Sequence, residues 1–383
     1  MQVHSFIAII NKTSAKAKKI ASDTAFLQDR EYHYYASDDC RFHVAFKLRK
    51  QNKNKAENYA FGNYGRLILG DSYDVDYHKQ EQQNISASSA LIEYNLKERD
   101  CLKVFTSIVG LPPVFLYEDA DYVIITSDIY LLSSLTMTRL QFDIEGLIDL
   151  GKIGHPVNGR TLFKNVRLLP GGSSLQLHTD GRSVLSLAWK FPEADPLKDW
   201  NSYIDLQIGA FKNSLKAINL SDTFLSLTAG LDTRTIFAAL IQEGLIIPAC
   251  TMTGKPISLD AMTARSLCKF YGFHHEMIFL NESFYKNLPD YILQASRLSG
   301  GLSSLEQAHE IFFNERAHNL AGNRLSGNLG NQICRRGVEK TSMRNINLSI
   351  LNEQLIRTKK EYSGDYWFIN LGRDKGDINY EFL

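Results

Sequence analysis

Residues 203–325 alternate between strand-like and helix-like segments, and this alternation constrains the fold more than any other feature of the sequence. The apolar runs FLSLT, IIPACTM and HEMIFL are separated by helical patterns, and a further short strand is predicted near Arg324. Strands separated by helices are typical of βαβ units, which form parallel sheets covered by helices on both faces. The predicted helices are 203–216, 232–243 and 259–271. We therefore expect a doubly wound α/β domain over residues 200–383.

The front half of the chain has a different pattern. Short alternating runs such as FHVAFKLR, RLILGDSY and YVIITSD are broken by Gly, Asn, Asp and Pro, which is typical of antiparallel strands. One helix is predicted within QFDIEGLIDLGKIG, and the charged, Pro-containing segment KFPEADPLKDW is the best candidate for a linker. We expect an α+β front domain over residues 1–190.

The stretch FLSLTAGLDTR, residues 224–234, runs from a predicted buried strand directly into a predicted helix. Ala229 and Gly230 are small enough for backbone N–H groups to approach an anion, and the N-terminus of the following helix favours negative charge. Thr228 and Thr233 add hydroxyl groups. Asp232 would repel bare phosphate, but it could hold a Mg²⁺ ion that phosphates share. An aspartate that caps the helix after a tight turn would explain the same residues without a ligand.

Composition excludes several classes of partner. The 43 Lys and Arg residues balance 42 Asp and Glu residues, so no strong field attracts nucleic acid or an anionic membrane. No segment approaches the apolar length that a membrane span needs, and no secretory signal is evident. The five cysteines are scattered and never occur as C-x-x-C, which predicts neither a disulfide framework nor a zinc site. We expect a soluble, cytoplasmic protein with buried or idle thiols.

Four segments together resemble the asparagine synthetase-like family of ATP pyrophosphatases. SLTAGLDTR resembles the PP-loop of that family, and GRTLFKNVRLLPGGSSLQL resembles the signature at the end of its amino-terminal domain. SLDAMTARSLCKFYGFHHEMIFL resembles the helix and strand that follow the PP-loop, and RLSGNLGNQICRRG resembles the second nucleotide loop. The resemblance also extends to β-lactam synthetases and lasso peptide cyclases. It implies an Ntn-hydrolase-like β-sandwich front domain and an adenine nucleotide α-hydrolase-like back domain.

The resemblance implies an amide-forming ligase that uses ATP and Mg²⁺. ATP would activate a carboxylate as an acyl-adenylate with release of pyrophosphate, and ammonia or another amine would then attack. Asp232, Thr228 and Thr233 are the catalytic candidates, and Asp232 and Asn331 are the candidate metal ligands. The nucleotide-binding candidates are Ser226, Leu227, Thr228, Ala229, Gly230, Leu231, Asp232, Thr233, Met252, Gly254, Ser326 and Gly327.

The sequence departs from the family pattern at two places. Relatives that hydrolyse glutamine have an amino-terminal cysteine, whereas this sequence begins Met1-Gln2-Val3, so we expect a front domain without glutaminase activity. The second loop has Asn328, Asn331 and Gln332 where many members have acidic residues, which weakens the expected hold on the metal. The alternative is therefore a nucleotide-binding pseudoenzyme that acts through a partner protein. A homodimer is also possible in either case.

Three further features have competing interpretations. Asp260 lies early in a predicted helix, where the helix dipole explains a carboxylate, and a role near the nucleotide is the alternative. LSGGLSS, residues 298–304, has PP-loop letters but no preceding strand, and a turn fits it better. His274, His275 and Glu276 could bind a metal, but neighbouring residues on a strand point to opposite faces.

Overall fold

The computed structural model describes residues 2–12, 31–48, 63–70, 89–135, 138–189, 199–216, 218, 220–303, 307–328 and 330. The chain divides into two compact units. Unit 1 contains Met1–Asp195 and Ser299–Ser303, and unit 2 contains Pro196–Leu298 and Ser304–Leu383. Residues 190–198 of the predicted linker lie outside the described residues. No helix in the described part of the chain has the length and apolar character to cross a bilayer.

Unit 1 is built mainly from antiparallel strands, as the alternating patterns predict. The strands are β1 Gln2–Asn11, β2 His33–Ala36, β3 Phe42–Leu48, β4 Tyr64–Gly70, β5 Ser89–Asn95, β6 Leu102–Phe105, β7 Phe115–Glu118, β8 Tyr122–Thr126, β9 Val166–Leu168, β10 Ser173–Leu177 and β11 Ser183–Leu187. Their order in the sheet is β11-β10-β6-β5-β4-β1-β8-β7-β9, and β3 pairs with β1 and β2.

The strands described in unit 1 are hydrogen-bonded into one continuous sheet. A short parallel pairing, Gln2 with Ile68 and Val3 with Leu69, joins β1 to β4 and makes one continuous sheet of the 11 strands. One buried apolar cluster takes Phe6, Val44, Ile92 and Leu175 from strands on both sides of this pairing. The core therefore spans both halves of a single sheet, and these few backbone hydrogen bonds left no sequence pattern that would predict them.

Two helices of unit 1 begin at aspartate caps. α1 is Ile129–Ser134, with the Asp128 side chain accepting from the Tyr130 N–H, and α2 is Ile144–Ile153, with the Asp143 side chain accepting from the Glu145 N–H. Such side chains satisfy backbone N–H groups that have no partner inside the helix. The structure thus confirms the helix predicted within QFDIEGLIDLGKIG.

Unit 2 has the predicted alternation of strands and helices. Its elements are α3 Trp200–Lys216, β12 Thr223–Ser226, α4 Leu231–Gln242, β13 Ala249–Thr253, α5 Leu259–Tyr271, β14 His275–Phe279, α6 Glu282–Lys286, α7 Leu288–Ser299, α8 Ala308–Ala317 and β15 Asn323–Leu325. The structure confirms the predicted helix over 259–271 at both ends, and it begins α4 one residue earlier than predicted. Gly300 and Gly301, both with positive φ, follow α7, so LSGGLSS contains a turn and no strand precedes it.

The sheet of unit 2 has four parallel strands in the order β14-β13-β12-β15. Leu225 and Leu227 belong to the apolar cluster on one face, together with residues of α4 and α5. Phe224 belongs to the cluster on the other face, together with Phe312 and Phe313 of α8. Apolar side chains therefore cover both faces of the central strand β12, which is buried along its whole length.

Thiol reactivity offers a test of this packing. Cys101, Cys250 and Cys268 are at most 1% exposed, and burial raises the pKa of their thiols to about 12, 12 and 11 respectively. Cys40 is exposed. In a Cys334→Ser variant we expect Ellman's reagent to label one thiol rapidly in the native protein and all the remaining thiols after denaturation. Rapid labelling of a second native thiol would contradict the described cores.

Candidate nucleotide site

The candidate site lies at the carboxyl ends of β12 and β15, which are neighbours in the sheet of unit 2. The chain reaches β13 and β14 on one side of β12, and it returns to place β15 on the other side. Loops that leave two such strands diverge and open a crevice, which is the usual ligand position in parallel α/β sheets. The loop 227–230 follows β12, and residues 326–328, here called the second loop together with Gly330, follow β15.

Two threonines fix the shape of the first loop. The Thr228 N–H donates to Thr233 Oγ1 at 3.1 Å, and the two hydroxyl oxygens lie 3.0 Å apart. The Gly230 N–H donates to Thr228 Oγ1, also at 3.1 Å. Thr233 is 9% exposed and sits in the first turn of α4. The hydroxyl groups of Thr228 and Thr233 therefore hold the loop against the helix and occupy two of its N–H groups.

Gly230 is the N-cap residue of α4, and it has no side chain that could accept from the first N–H groups of the helix. Asp232 lies inside the first turn of the helix. The interpretation of Asp232 as a helix cap is therefore wrong, because the chain enters the helix two residues before it. A carboxylate in the first turn of a helix is stabilised by the helix dipole. The N-terminus of α4 is the positive end of that dipole, and it would also attract an anion bound at the loop.

The second loop contacts the start of α4 through glycines. A Cβ atom on Gly327 would lie 2.9 Å from both Cβ of Asp232 and the backbone nitrogen of Thr233. A Cβ atom on Gly330 would lie 2.7 Å from the Asp232 carboxyl carbon. Only residues without side chains can approach so closely. The two loops that resemble the nucleotide loops of the family therefore meet around Asp232.

Asp260 takes part in this arrangement, although the sequence favoured a purely local role for it. Its Oδ1 accepts a hydrogen bond of 2.8 Å from the Ala229 N–H. Asp260 lies in the first turn of α5, where Ser258 caps the helix by accepting from the Ala261 N–H. The carboxylate of Asp260 thus contacts the first loop directly.

A chain of hydrogen bonds across the sheet supports the start of the first loop. Thr251 Oγ1 donates to the Leu227 carbonyl at 2.7 Å and lies 2.9 Å from His275 Nε2. Since the Thr251 hydroxyl proton is used, the His275 ring donates through Nε2. Desolvation, with a smaller contribution from Arg265, lowers the pKa of His275 and favours the neutral ring. His275 therefore has a structural partner, and it lies on the strand that was predicted for this segment.

Arg324 forms a second polar cluster, on the face of the sheet that carries α8. It pairs with Glu310, donates to Ser226 Oγ at 3.1 Å, and stacks 4.4 Å above the ring centre of Phe313. Ser226, a predicted nucleotide ligand, thus has an arginine partner in this structure. The sequence analysis did not single out Arg324, and its only signal is a charge inside a short strand.

The remaining predicted residues lie at the same edge of the sheet. Met252 is in β13, and Gly254 follows it, exposed and with open space where a Cβ atom would be. Leu231 begins α4 and is 52% exposed, whereas the Leu227 side chain is fully buried and only its backbone faces the loop. Ser326 follows β15. Asn331, together with Gln332, lies outside the described residues.

Asp232 is the candidate Mg²⁺ ligand that lies within the described residues. Within the described residues, no three His, Cys, Asp or Glu side chains cluster as a metal site would require. Asp232 supplies a carboxylate where the two loops meet, and a carboxylate oxygen is a suitable ligand for this hard cation. The residues fit an ion that Asp232 holds together with phosphate oxygens and water, which is the common arrangement for Mg²⁺ at phosphate sites.

Comparisons with known proteins do not identify the family. No family model matches the chain, and no curated protein matches it. Among solved structures, the allosteric regulatory enzyme of purine biosynthesis matches at 8% identity and a TM-score of 0.30, covering 71% of this chain and 80% of that one. NH3-dependent NAD synthetase from Campylobacter jejuni in complex with nitrate matches at 15% identity and a TM-score of 0.25, covering 46% of this chain and 93% of that one.

A third match is glutamine phosphoribosylpyrophosphate amidotransferase from B. subtilis in complex with ADP and GMP. It is 10% identical with a TM-score of 0.26, and it covers 72% of this chain and 80% of that one. Scores this low carry no argument about fold or function. The fold of this chain is therefore defined by its own strands and helices, and no part of it is inferred from these similar structures.

Proposed function

We propose that unit 2 binds ATP at the two loops and forms an amide bond from a carboxylate and an amine, as asparagine synthetase-like ligases do. The observation that carries the proposal is the contact of Gly327 and Gly330 with Asp232 and Thr233. Two sequence segments that resemble nucleotide loops lie together at the switch point of a parallel sheet, where ligands bind in such folds.

The charges and dipoles around Asp232 support the release of pyrophosphate. The first turn of α4 favours the negative charge that develops on the departing group, and oriented N–H groups stabilise such charge without reorganisation. Asp232 and Asn331 would hold Mg²⁺, which would neutralise phosphate charge when bound. Ser326 and Gly327 would lie beside the α-phosphate and ribose, and Met252 and Gly254 beside the base.

The carboxylate oxygen would attack the α-phosphorus of ATP and displace pyrophosphate, which gives an acyl-adenylate. Ammonia or another amine would then attack the acyl carbon and displace AMP. The acceptor carboxylate is unassigned: free aspartate, a peptide side chain, a sugar acid and a small metabolite are all compatible with the residues described.

A pseudoenzyme that binds nucleotide and acts through a partner protein is the second candidate. Its specific support is that no three His, Cys, Asp or Glu side chains form a metal-binding group in the part of the chain that the structure describes. Such a protein would bind ATP without forming an adenylate.

Isotope exchange between pyrophosphate and ATP separates the two functions. With a panel of carboxylates and Mg²⁺, the ligase is expected to show exchange that depends on one class of carboxylate. ATP binding by calorimetry without exchange for any acceptor favours the pseudoenzyme. Absence of ATP binding with excess Mg²⁺ would overturn both candidates.

A further inference from the structure

The carboxylate of Asp260 is hydrogen-bonded to the first loop, at a position where a phosphate oxygen is expected to bind. The Ala229 N–H, which is one of the groups expected to bind phosphate, donates to Asp260 Oδ1 at 2.8 Å. Ala229 and Gly230 lie between the end of β12 and the start of α4, at the positive end of that helix. A carboxylate there has the charge and hydrogen-bonding capacity of a phosphate oxygen.

We propose that Asp260 is a positioning residue that occupies the loop in the absence of nucleotide and is displaced by the pyrophosphate group. This inference rests on the proposed function. The Asp260 carboxylate keeps the Ala229 N–H aimed into the site, and a phosphate oxygen then replaces it as the acceptor. Because carboxylate and phosphate repel each other, their exchange lowers the affinity for nucleotide.

The surroundings of Asp260 make this exchange feasible. The residue is exposed, so its side chain can turn into water without crossing packed atoms. Ser258 caps α5 independently by accepting from the Ala261 N–H, so the helix start does not depend on the aspartate. The amides of Thr228 and Gly230 are held by threonine hydroxyls, and that of Leu227 by the Cys250 carbonyl, none of which carries a charge. Asp260 is therefore the charged group whose removal changes the affinity for an anion.

A purely structural role predicts the opposite result. If Asp260 only braces the loop, then Asp260→Ala leaves Ala229 unsupported and weakens binding, whereas Asp260→Asn keeps an acceptor oxygen and changes little. If Asp260 competes with phosphate, both variants bind more tightly, because Asp260→Asn removes the charge and Asp260→Ala also frees the N–H group. The sign of the change in affinity distinguishes the two roles.

The test is calorimetric titration of the full chain with Mg²⁺ and inorganic pyrophosphate. We expect both Asp260 variants to bind about tenfold more tightly than the unsubstituted chain, which is the size expected for losing one charge-assisted hydrogen bond. Asp290→Asn is the matched control, since Asp290 is also exposed and in the first turn of a helix, α7. It should leave the affinity unchanged.

Each outcome has one interpretation. If the unsubstituted chain binds pyrophosphate and the Asp260 variants bind equally or more weakly, the inference is overturned and the proposed function stands. A tenfold gain that Asp290→Asn also shows reflects net charge alone, and it likewise overturns the role of Asp260. If neither the unsubstituted chain nor any variant binds, the proposed nucleotide site fails and the inference fails with it.

Discussion

Replacing Asp232 with asparagine is expected to lower the rate of pyrophosphate–ATP exchange by about 100-fold, the loss typical for removing one electrostatic contact to a developing charge. Asparagine has nearly the same shape and keeps one oxygen, so the packing of Gly327 and Gly330 against this side chain is preserved. The change removes the carboxylate charge that would hold Mg²⁺. The measurement is exchange at saturating ATP with Mg²⁺ varied over a wide range.

The metal dependence is the specific part of this prediction. If Asp232 acts through Mg²⁺, the variant needs a higher Mg²⁺ concentration for half-maximal exchange, and excess Mg²⁺ restores part of the rate. Asp290→Asn again serves as the control for loss of a charge. Unchanged Mg²⁺ dependence in Asp232→Asn would contradict the assignment of Asp232 as the metal ligand.

Replacing Gly327 with alanine has the second large expected effect, a loss of nucleotide affinity of more than about tenfold. The added Cβ atom would lie 2.9 Å from the backbone nitrogen of Thr233 and from Cβ of Asp232. Since that nitrogen belongs to the first turn of α4, it cannot move away without disrupting this turn of the helix. The loop after β15 must move away instead, which separates the two halves of the site and costs binding.

Gly209→Ala is the matched control for this variant. Gly209 lies in α3, and nothing lies within 4 Å of a Cβ atom placed there. Alanine in a helix is favoured over glycine by about 1 kcal/mol, so this control should be folded and at least as stable, with unchanged ATP affinity. Gly327→Ala that binds ATP normally would show that contact between the loops is not needed for the site.

The local pattern of the sequence predicted the elements that form the site. The run FLSLT contains most of the buried strand β12, and the helix predicted from Asp232 begins at Leu231, one residue from its predicted start. The spacing of apolar residues and the local composition predict burial and secondary structure well, because both of these depend on residues that are close in the sequence. The position of the loop between β12 and α4 followed directly from this order.

Contacts between distant segments could not be predicted in this way. The hydrogen bond from Ala229 to Asp260 and the one from Arg324 to Ser226 join residues that are far apart in the sequence. Asp260 also interacts favourably with the helix dipole of α5. Because this local role was enough to explain an aspartate there, nothing in the sequence indicated its hydrogen bond with Ala229. The short pairing of β1 with β4, which joins the strands of unit 1 into one sheet, likewise depends on strand order and not on residue type.

A crystal structure of the chain with Mg²⁺ and α,β-methylene-ATP, an analogue that resists cleavage, tests the central claim most directly. The account predicts that the phosphates lie between residues 228–233 and Gly327, with a metal ion on the Asp232 carboxylate and the Ala229 N–H released from Asp260. Nucleotide bound elsewhere, or a site left empty at millimolar nucleotide with Asp260 still bonded to Ala229, would contradict it.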